Sequence, residues 1–469
     1  MENKLREFGI RDKIGYALGD FGCNLSFSLI TAYLLIYYTQ YMGLTPEQFG
    51  VIILVLKIWD AINDPLMGTI IDVKPISKES KFKPWIKIGS YGLIISGAVV
   101  FLPFPNASPW VKIAICLGAY LVWDACYTLV NVPYGAMNST ISAKADERTS
   151  LSVWRSIGAA LGGLVVLLIP LIGYDDNDRL LGERFFFIAL IMGVVAFAAY
   201  TGLLKLTTER VKVVHIEEKI NYRDAVKGFM KNRPLFGLSI ASFMQIVFFM
   251  STTTTTALVF QIYFRQAKMT TMGTIAAYAP QAICLLLTSV LSKKYGKRFI
   301  SAAPLIISII SAALMLFIPV SRESGLWVYV AFLMVANFGG GFFNFVVWAM
   351  VSDCVDYQQL KTGKREEGSV YAVYSLFRKL AQGVGASLLA FLLKYAGYVS
   401  ELGAIQTEQT AVNIKNMSVL LILIGAVTMF ISLFFIYNLG KKEVKELSET
   451  LGLEENTIDI NKAFENKND

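Results

Sequence analysis

The chain has 469 residues, of which 55% are hydrophobic and only 17% charged, and its mean hydropathy is +0.53. That balance excludes a soluble domain with a charged surface and implies a multipass membrane protein. The excess of positive charge, 43 Lys and Arg against 35 Asp and Glu, then reads as membrane topology and not as a nucleic-acid surface.

Uncharged runs long enough for the roughly 20 residues that span a bilayer as helix recur along the chain. With interrupted ones counted, twelve spans are predicted, the first at 14–40. It is too long for the core of a cleaved signal peptide, and no small-residue cleavage pattern follows it, so it reads as a retained helix. The second, 48–71, carries Trp59-Asp60-Ala61-Ile62-Asn63-Asp64. A charge at membrane depth costs roughly 2.5–3.5 kcal/mol on insertion scales and is generally tied to function. Asp60 and Asp64 are one helical turn apart and share a face, and Asn63 can bring a carbonyl oxygen to its edge. Such an oxygen-rich, doubly anionic pocket suits a hard monovalent cation or a proton. The competing reading is a structural ion pair with Lys57, three residues before Asp60.

Span three is 85–104 and span four 110–137; the latter holds Asp124, Tyr127, Thr128 and Asn131. Span five, 152–173, has Arg155 and glycines at 158, 162 and 163, and span six is 185–206. Span seven, 235–264, contains Ser251 followed by threonines at 252–256, whose hydroxyls can return to the i−4 carbonyl and bend the helix. Spans eight and nine are 271–292 and 299–319. Span ten, 326–354, carries Trp348 and ends at a charge-rich rim with Asp353 and Asp356. Span eleven, 370–396, has Ser375, Arg378 and Lys379, and span twelve is 416–438.

The connections that would be cytoplasmic, with the N-terminus and tail, hold 31 of the 43 Lys and Arg residues, and the opposite side holds 8. This places both termini in the cytoplasm. All five cysteines lie within predicted spans, so no disulfide framework is implied, and the single histidine, His215, excludes a histidine proton relay. Residues 207–234 read as a charged cytoplasmic linker between six-helix bundles at 1–206 and 235–438, with a tail at 439–469. The halves echo each other: Asn131 to Met137 in span four against Asn344 to Met350 in span ten, and Arg155 with its glycines against Arg378-Lys379 with Gly383 and Gly385. A duplicated 6+6 carrier, rocking about a site near the midplane, follows from the matched order.

Five motifs carry a family resemblance: Tyr16-Ala-Leu-Gly-Asp-Phe-Gly-Cys-Asn24, Trp59-Asp-Ala-Ile-Asn-Asp-Pro65, Lys81-Phe-Lys-Pro-Trp85, Tyr127-Thr-Leu-Val-Asn-Val-Pro-Tyr-Gly135 and Arg378-Lys379. Together they resemble the glycoside–pentoside–hexuronide:cation symporters of the major facilitator superfamily, over nearly the whole chain. The resemblance implies an all-α fold of twelve transmembrane helices in two pseudo-symmetric halves. It implies a cation site at Asp60, Asn63, Asp64 and Thr128, where sodium or a proton would couple transport. It also implies a sugar site at Asn24, Tyr127, Asn131, Arg155, Trp348, Ser375 and Lys379.

Melibiose-transporting members place aspartates where Asn24 and Asn131 stand here; the asparagines are more similar to the glucuronide and isoprimeverose carriers. Losing two carboxylates while keeping the cations makes the cavity more positive and suits a sugar carboxylate bound by Arg155. Asp124 is an additional acid on the Thr128 face and a further substrate-binding candidate, with pairing to Arg155 as its bland reading. Asp353, Asp356, Arg148, Arg298 and Glu366 would form an ionic gate of weak, breakable pairs.

The expected activity is cation-coupled symport of a glycoside or hexuronide, such as a glucuronide or xyloside, across the plasma membrane by a monomer. Its expected partners are the sugar, the coupling cation and membrane lipid. No cofactor is expected, and no phosphate-cradling loop or nucleophile with a base marks an enzyme. The rivals are a sugar exchanger or uniporter of the same fold, a carrier for another class such as a lysolipid, and a sensor that moves nothing.

Overall fold

In a computed structural model the described residues are 6–73, 80–142, 145–210, 231–318, 320–363 and 367–451. They are almost wholly helical: α1 Ile10–Ile36, α2 Pro46–Val73, α3 Lys83–Val100, α4 Pro109–Ile141, α5 Ala145–Leu164 and α6 Gly182–Leu206, then α7 Arg233–Leu258, α8 Thr270–Tyr295, α9 Leu305–Phe317, α10 Leu326–Thr362, α11 Glu367–Tyr395, α12 Glu408–Ile431 and α13 Lys441–Thr450. Ten helical stretches among the described residues are long and apolar enough to cross a membrane. The two other predicted spans are helices too, at α2 and α3; α2 is the one loaded with Lys57, Asp60 and Asp64. Span nine begins with a separate short helix, Lys297–Ala302.

Helix ends follow local chemistry. Asp12 reaches back to accept the Gly9 N–H at 3.1 Å and so caps α1. Pro109 and Pro84 sit in the first turns of α4 and α3, where their missing N–H is not needed. Gly363, with φ of +72°, ends the 37-residue α10 in a left-handed turn. Outward helix faces are apolar instead of charged, Leu286 being 77% exposed, as expected of surfaces that meet hydrocarbon.

The chain forms two compact units. The first comprises Met1–Glu217, Thr253–Thr271 and Ala386–Lys415, so it includes α1–α6. Its inner end is tied by the fully buried Asp12, whose carboxylate accepts from Arg6 Nη2 at 2.8 Å, Arg210 Nη2 at 3.0 Å and the Thr208 N–H at 3.0 Å. Beside it Glu209 accepts from Ser80 and from the Lys81 and Phe82 N–H groups, while Lys83 donates to the carbonyls of Leu204 and Thr207. At the other end of this unit, the loop between α5 and α6 turns at Asp178, with φ of +60°. The Asp178 carboxylate accepts the Ala267 N–H at 2.6 Å, and Gln261 and Gln40 exchange amide hydrogen bonds at 2.7 and 2.8 Å. Burial pushes the Asp178 carboxyl above its ordinary value.

The second unit comprises Glu218–Thr252, Met272–Gly385 and Asn416–Asp469. Its core gathers Leu238, Leu305, Phe343, Met350 and Tyr374 with Met429 of α12. The Ser251–Thr256 run straddles the boundary between the units, and Thr254 donates to the Thr31 carbonyl at 3.3 Å.

Candidate functional site

In the first unit, the site begins with a close approach of α5 to α1. A Cβ on Gly158 would overlap the Ala17 carbonyl, and one on Gly162 would come within 2.6 Å of the Phe21 oxygen. Only glycine admits this spacing. Gly163, which the sequence grouped with them, meets open space. The approach puts Arg155, one turn before Gly158, against Asp20 of α1: Nε to Oδ1 is 3.2 Å. Asn24, one turn beyond Asp20, donates to its backbone oxygen at 3.0 Å and to Oδ2 at 3.3 Å. The guanidinium lies 5.2 Å from the Tyr134 ring centroid, and the buried Tyr134 hydroxyl donates to the Tyr16 carbonyl at 2.7 Å. The Arg155 side chain remains 40% exposed.

Asp20 was not among the sequence candidates, although it stands in the quoted Gly-Asp-Phe-Gly stretch. Its i, i+4 spacing to Asn24 and its presence as an acid in an apolar run were the available signals. It also corrects two expectations. Arg155 pairs with Asp20 instead of Asp124, and the surplus positive charge argued from the missing aspartates is reduced by one carboxylate.

A second cluster lies between α2 and α4. Lys57 Nζ is 2.8 Å from Asp60 Oδ2 and 5.8 Å from the Tyr120 ring centroid. Further along, the buried Asn63 amide nitrogen is 3.2 Å from both Asp124 Oδ2 and Thr128 Oγ1. Tyr120, Asp124 and Thr128 recur every fourth residue, so one face of α4 runs alongside Lys57, Asp60 and Asn63. The structure thus joins Asn63 to Thr128 and adds Asp124; the Asp64 side chain lies outside the described residues.

Tyr127 is held differently from the expected sugar platform. Its ring stacks on Trp123 at 5.2 Å and on Phe27 at 6.0 Å, so neighbouring aromatics occupy its stacking surface. Trp123 is anchored by donating to Ser26 Oγ at 2.7 Å. Asn131 is half-buried one turn beyond Tyr127.

In the second unit Trp348 is 47% exposed, with Tyr374 edge-on at 5.3 Å and the Arg378 guanidinium 5.4 Å from its ring centroid. Ser375 and Lys379 are half-buried on the same helix. A small cavity of about 30 Å³ lies among Gln245, Gln281, Asn337 and Asn344. The Gln245 amide donates to Asn344 Oδ1 at 2.5 Å, and the Asn344 amide to Gln281 Oε1 at 3.3 Å. The sequence reading used Asn344 only as an echo of Asn131 and missed the two glutamines, which sit singly in apolar helices.

Among the expected gate residues, Asp353 pairs with Lys297 at 2.6 Å within this unit. Arg298 caps the end of the α12 segment, donating to the Leu433 and Phe434 carbonyls at 3.3 and 2.5 Å. Asp356 is half-buried; Glu366 and the Arg148 side chain lie outside the described residues.

Long apolar helices with partly buried charged pairs between them mark a polytopic membrane protein. Residues 15–440 match the family described as MFS/sugar transport protein, and the chain belongs to that family. It is 30% identical over 462 residues to the "Uncharacterized symporter YjmB" of Bacillus subtilis (strain 168), covering 95% of this chain and 96% of the relative. It is 26% identical to the "Glucuronide carrier protein homolog" of Escherichia coli (strain K12), covering 93% and 94%. The solved D-xylose-proton symporter superposes with a TM-score of 0.63 at 14% identity, covering 91% of this chain and 97% of that one, which shows the fold. The chain is accordingly a multipass plasma-membrane sugar transporter of the major facilitator superfamily and not an enzyme.

Proposed function

We propose that the protein is a cation-coupled symporter for a glycoside or hexuronide. The observation that carries this reading is the Arg155–Asp20 pair. Arg155 Nε is held on Asp20 while 40% of the side chain stays exposed, which suits a guanidinium that meets a carboxylate or adjacent hydroxyls of a ligand. Asn24 adds an amide beside the pair, and Asn131 and Tyr127 add further donors on α4. The glucuronide carrier homolog among its relatives supports an anionic sugar.

Arg155 and Asp20 together carry no net charge, so an anionic sugar adds one negative charge to the site. A cation at Asp60, Asn63, Asp64 and Thr128 offsets it. Sodium and a proton both suit oxygen donors of this kind. Cation and sugar then tighten each other's binding by the same factor.

Binding of a β-glucuronide, a xyloside and an α-galactoside to purified protein, with sodium or choline and at low and high pH, tests the proposal. Glucuronide binding strengthened by sodium or by acid supports it. Glucuronide ignored, or binding indifferent to both cations, overturns the substrate or the coupling part respectively. Arg155→Lys is expected to weaken glucuronide at least tenfold, because a point charge replaces the fork.

One observation favours an exchanger or uniporter instead: Lys57 already neutralises Asp60. Asp60→Asn discriminates, since it abolishes uphill accumulation in a symporter and leaves exchange intact.

A further inference from the structure

Asp60 is bonded to a built-in cation, the Lys57 ammonium at 2.8 Å. On the proposed coupling, on which this inference rests, a sodium ion or proton must take the same carboxylate. It therefore competes with a tethered ammonium that cannot leave. An ammonium stripped of its counter-ion at membrane depth is costly, so it needs a second acceptor within reach of its four-carbon stem. The α4 face supplies one. Lys57 already lies over Tyr120, and Asp124 is one turn beyond Tyr120 on that face, held by Asn63 of the neighbouring helix.

We infer that Asp124 is the alternate counter-ion of Lys57: when the coupling cation occupies Asp60, the ammonium swings to Asp124. Asp124 is thus a positioning residue that acts on the cation through Lys57 and does not ligate it. Among the described residues, the titratable groups acting on Lys57 are Asp60 on its own helix and Tyr120 and Asp124 on α4, and Asp124 is the acid among the α4 groups. Its presence gives the otherwise unassigned third acid a function.

A double-mutant cycle on the purified, full-length protein tests this, read as sodium affinity (sodium chloride against choline chloride) or, for a proton-coupled carrier, as the acid dependence of sugar binding. Asp124→Asn is expected to weaken the cation at least tenfold, because Lys57 keeps Asp60. Lys57→Met removes the competitor and tightens the cation. In the double variant the Asp124→Asn loss should vanish, with affinity within about threefold of Lys57→Met alone.

A loss that persists undiminished in the Lys57→Met background overturns the inference, because Asp124 then touches the cation directly or only supports the fold. An unchanged cation response in Asp124→Asn overturns it as well. If the wild type responds to neither sodium nor acid, the coupling reading itself has failed, and this is seen before any variant is made. Should Asp124→Asn fold poorly, Lys57→Met with and without Asp124→Glu keeps the comparison, since a glutamate preserves the acceptor.

Discussion

A guanidinium inside a membrane protein needs a counter-charge, and its choice of partner decides what remains for a ligand. Arg155 sets its Nε on Asp20 and leaves 40% of its side chain exposed. The opposite economy holds at Asp178, whose carboxylate is confined in a tight turn to accept a single N–H. Burial raises its pKa, so the folded protein holds this proton more readily than the unfolded chain, and stability from this group falls as pH rises from its unfolded value through the folded one. Asp178→Asn keeps an acceptor, tolerates the left-handed backbone and removes the buried charge. Its melting midpoint at neutral pH should equal or exceed that of wild type, whereas Asp178→Ala should fall below it. Asp60 and Asp64 were legible as candidates because acids in an apolar run stand out. Asp20 carries the same signal, an acid in an apolar run one turn before Asn24.

At the scale of elements, the α1–α5 contact is the joint that brings Arg155 to its partner. Gly158→Val and Gly162→Val should each destabilise by about 1–3 kcal/mol of overpacking and disturb sugar binding by separating Arg155 from Asp20. Gly163→Ala, whose Cβ meets open space, serves as the control and should leave thermal stability unchanged. Glycine spacing in the sequence pointed to a close helix contact, but could not say which glycine faces the partner. The helices themselves were readable from apolar run length. Their irregular ends were not: the π-turns at Tyr37–Tyr41, Val259–Tyr263 and Ser432–Ile436 arise from packing, which local composition does not encode. At the expected gate, the partner of Asp353 is Lys297, which stands next to the candidate Arg298 on a short helix.

For the whole molecule, the knot of the first unit joins segments about 200 residues apart through Arg6, Asp12 and Arg210. Asp12 gathers two arginines and a backbone N–H while fully buried, so Asp12→Ala leaves uncompensated charge and should cost about 3–5 kcal/mol, seen as a fall in melting midpoint with sugar affinity of the surviving protein unchanged. The pattern of Lys and Arg led to the expectation that these residues share one side of the membrane, without revealing that they are interlocked. Their interlocking also sets a clock on biogenesis. The knot joins residues 6–12 to 206–210, so it cannot close until the ribosome has delivered that stretch. At about 5–20 residues per second, the N-terminal arginine waits on the order of 10–40 s for its permanent partners. Throughout that interval Asp20 enters the membrane ahead of Arg155, while Asp60 arrives with Lys57 three residues before it, so the emerging half suits insertion machinery able to shelter an acid that precedes its partner.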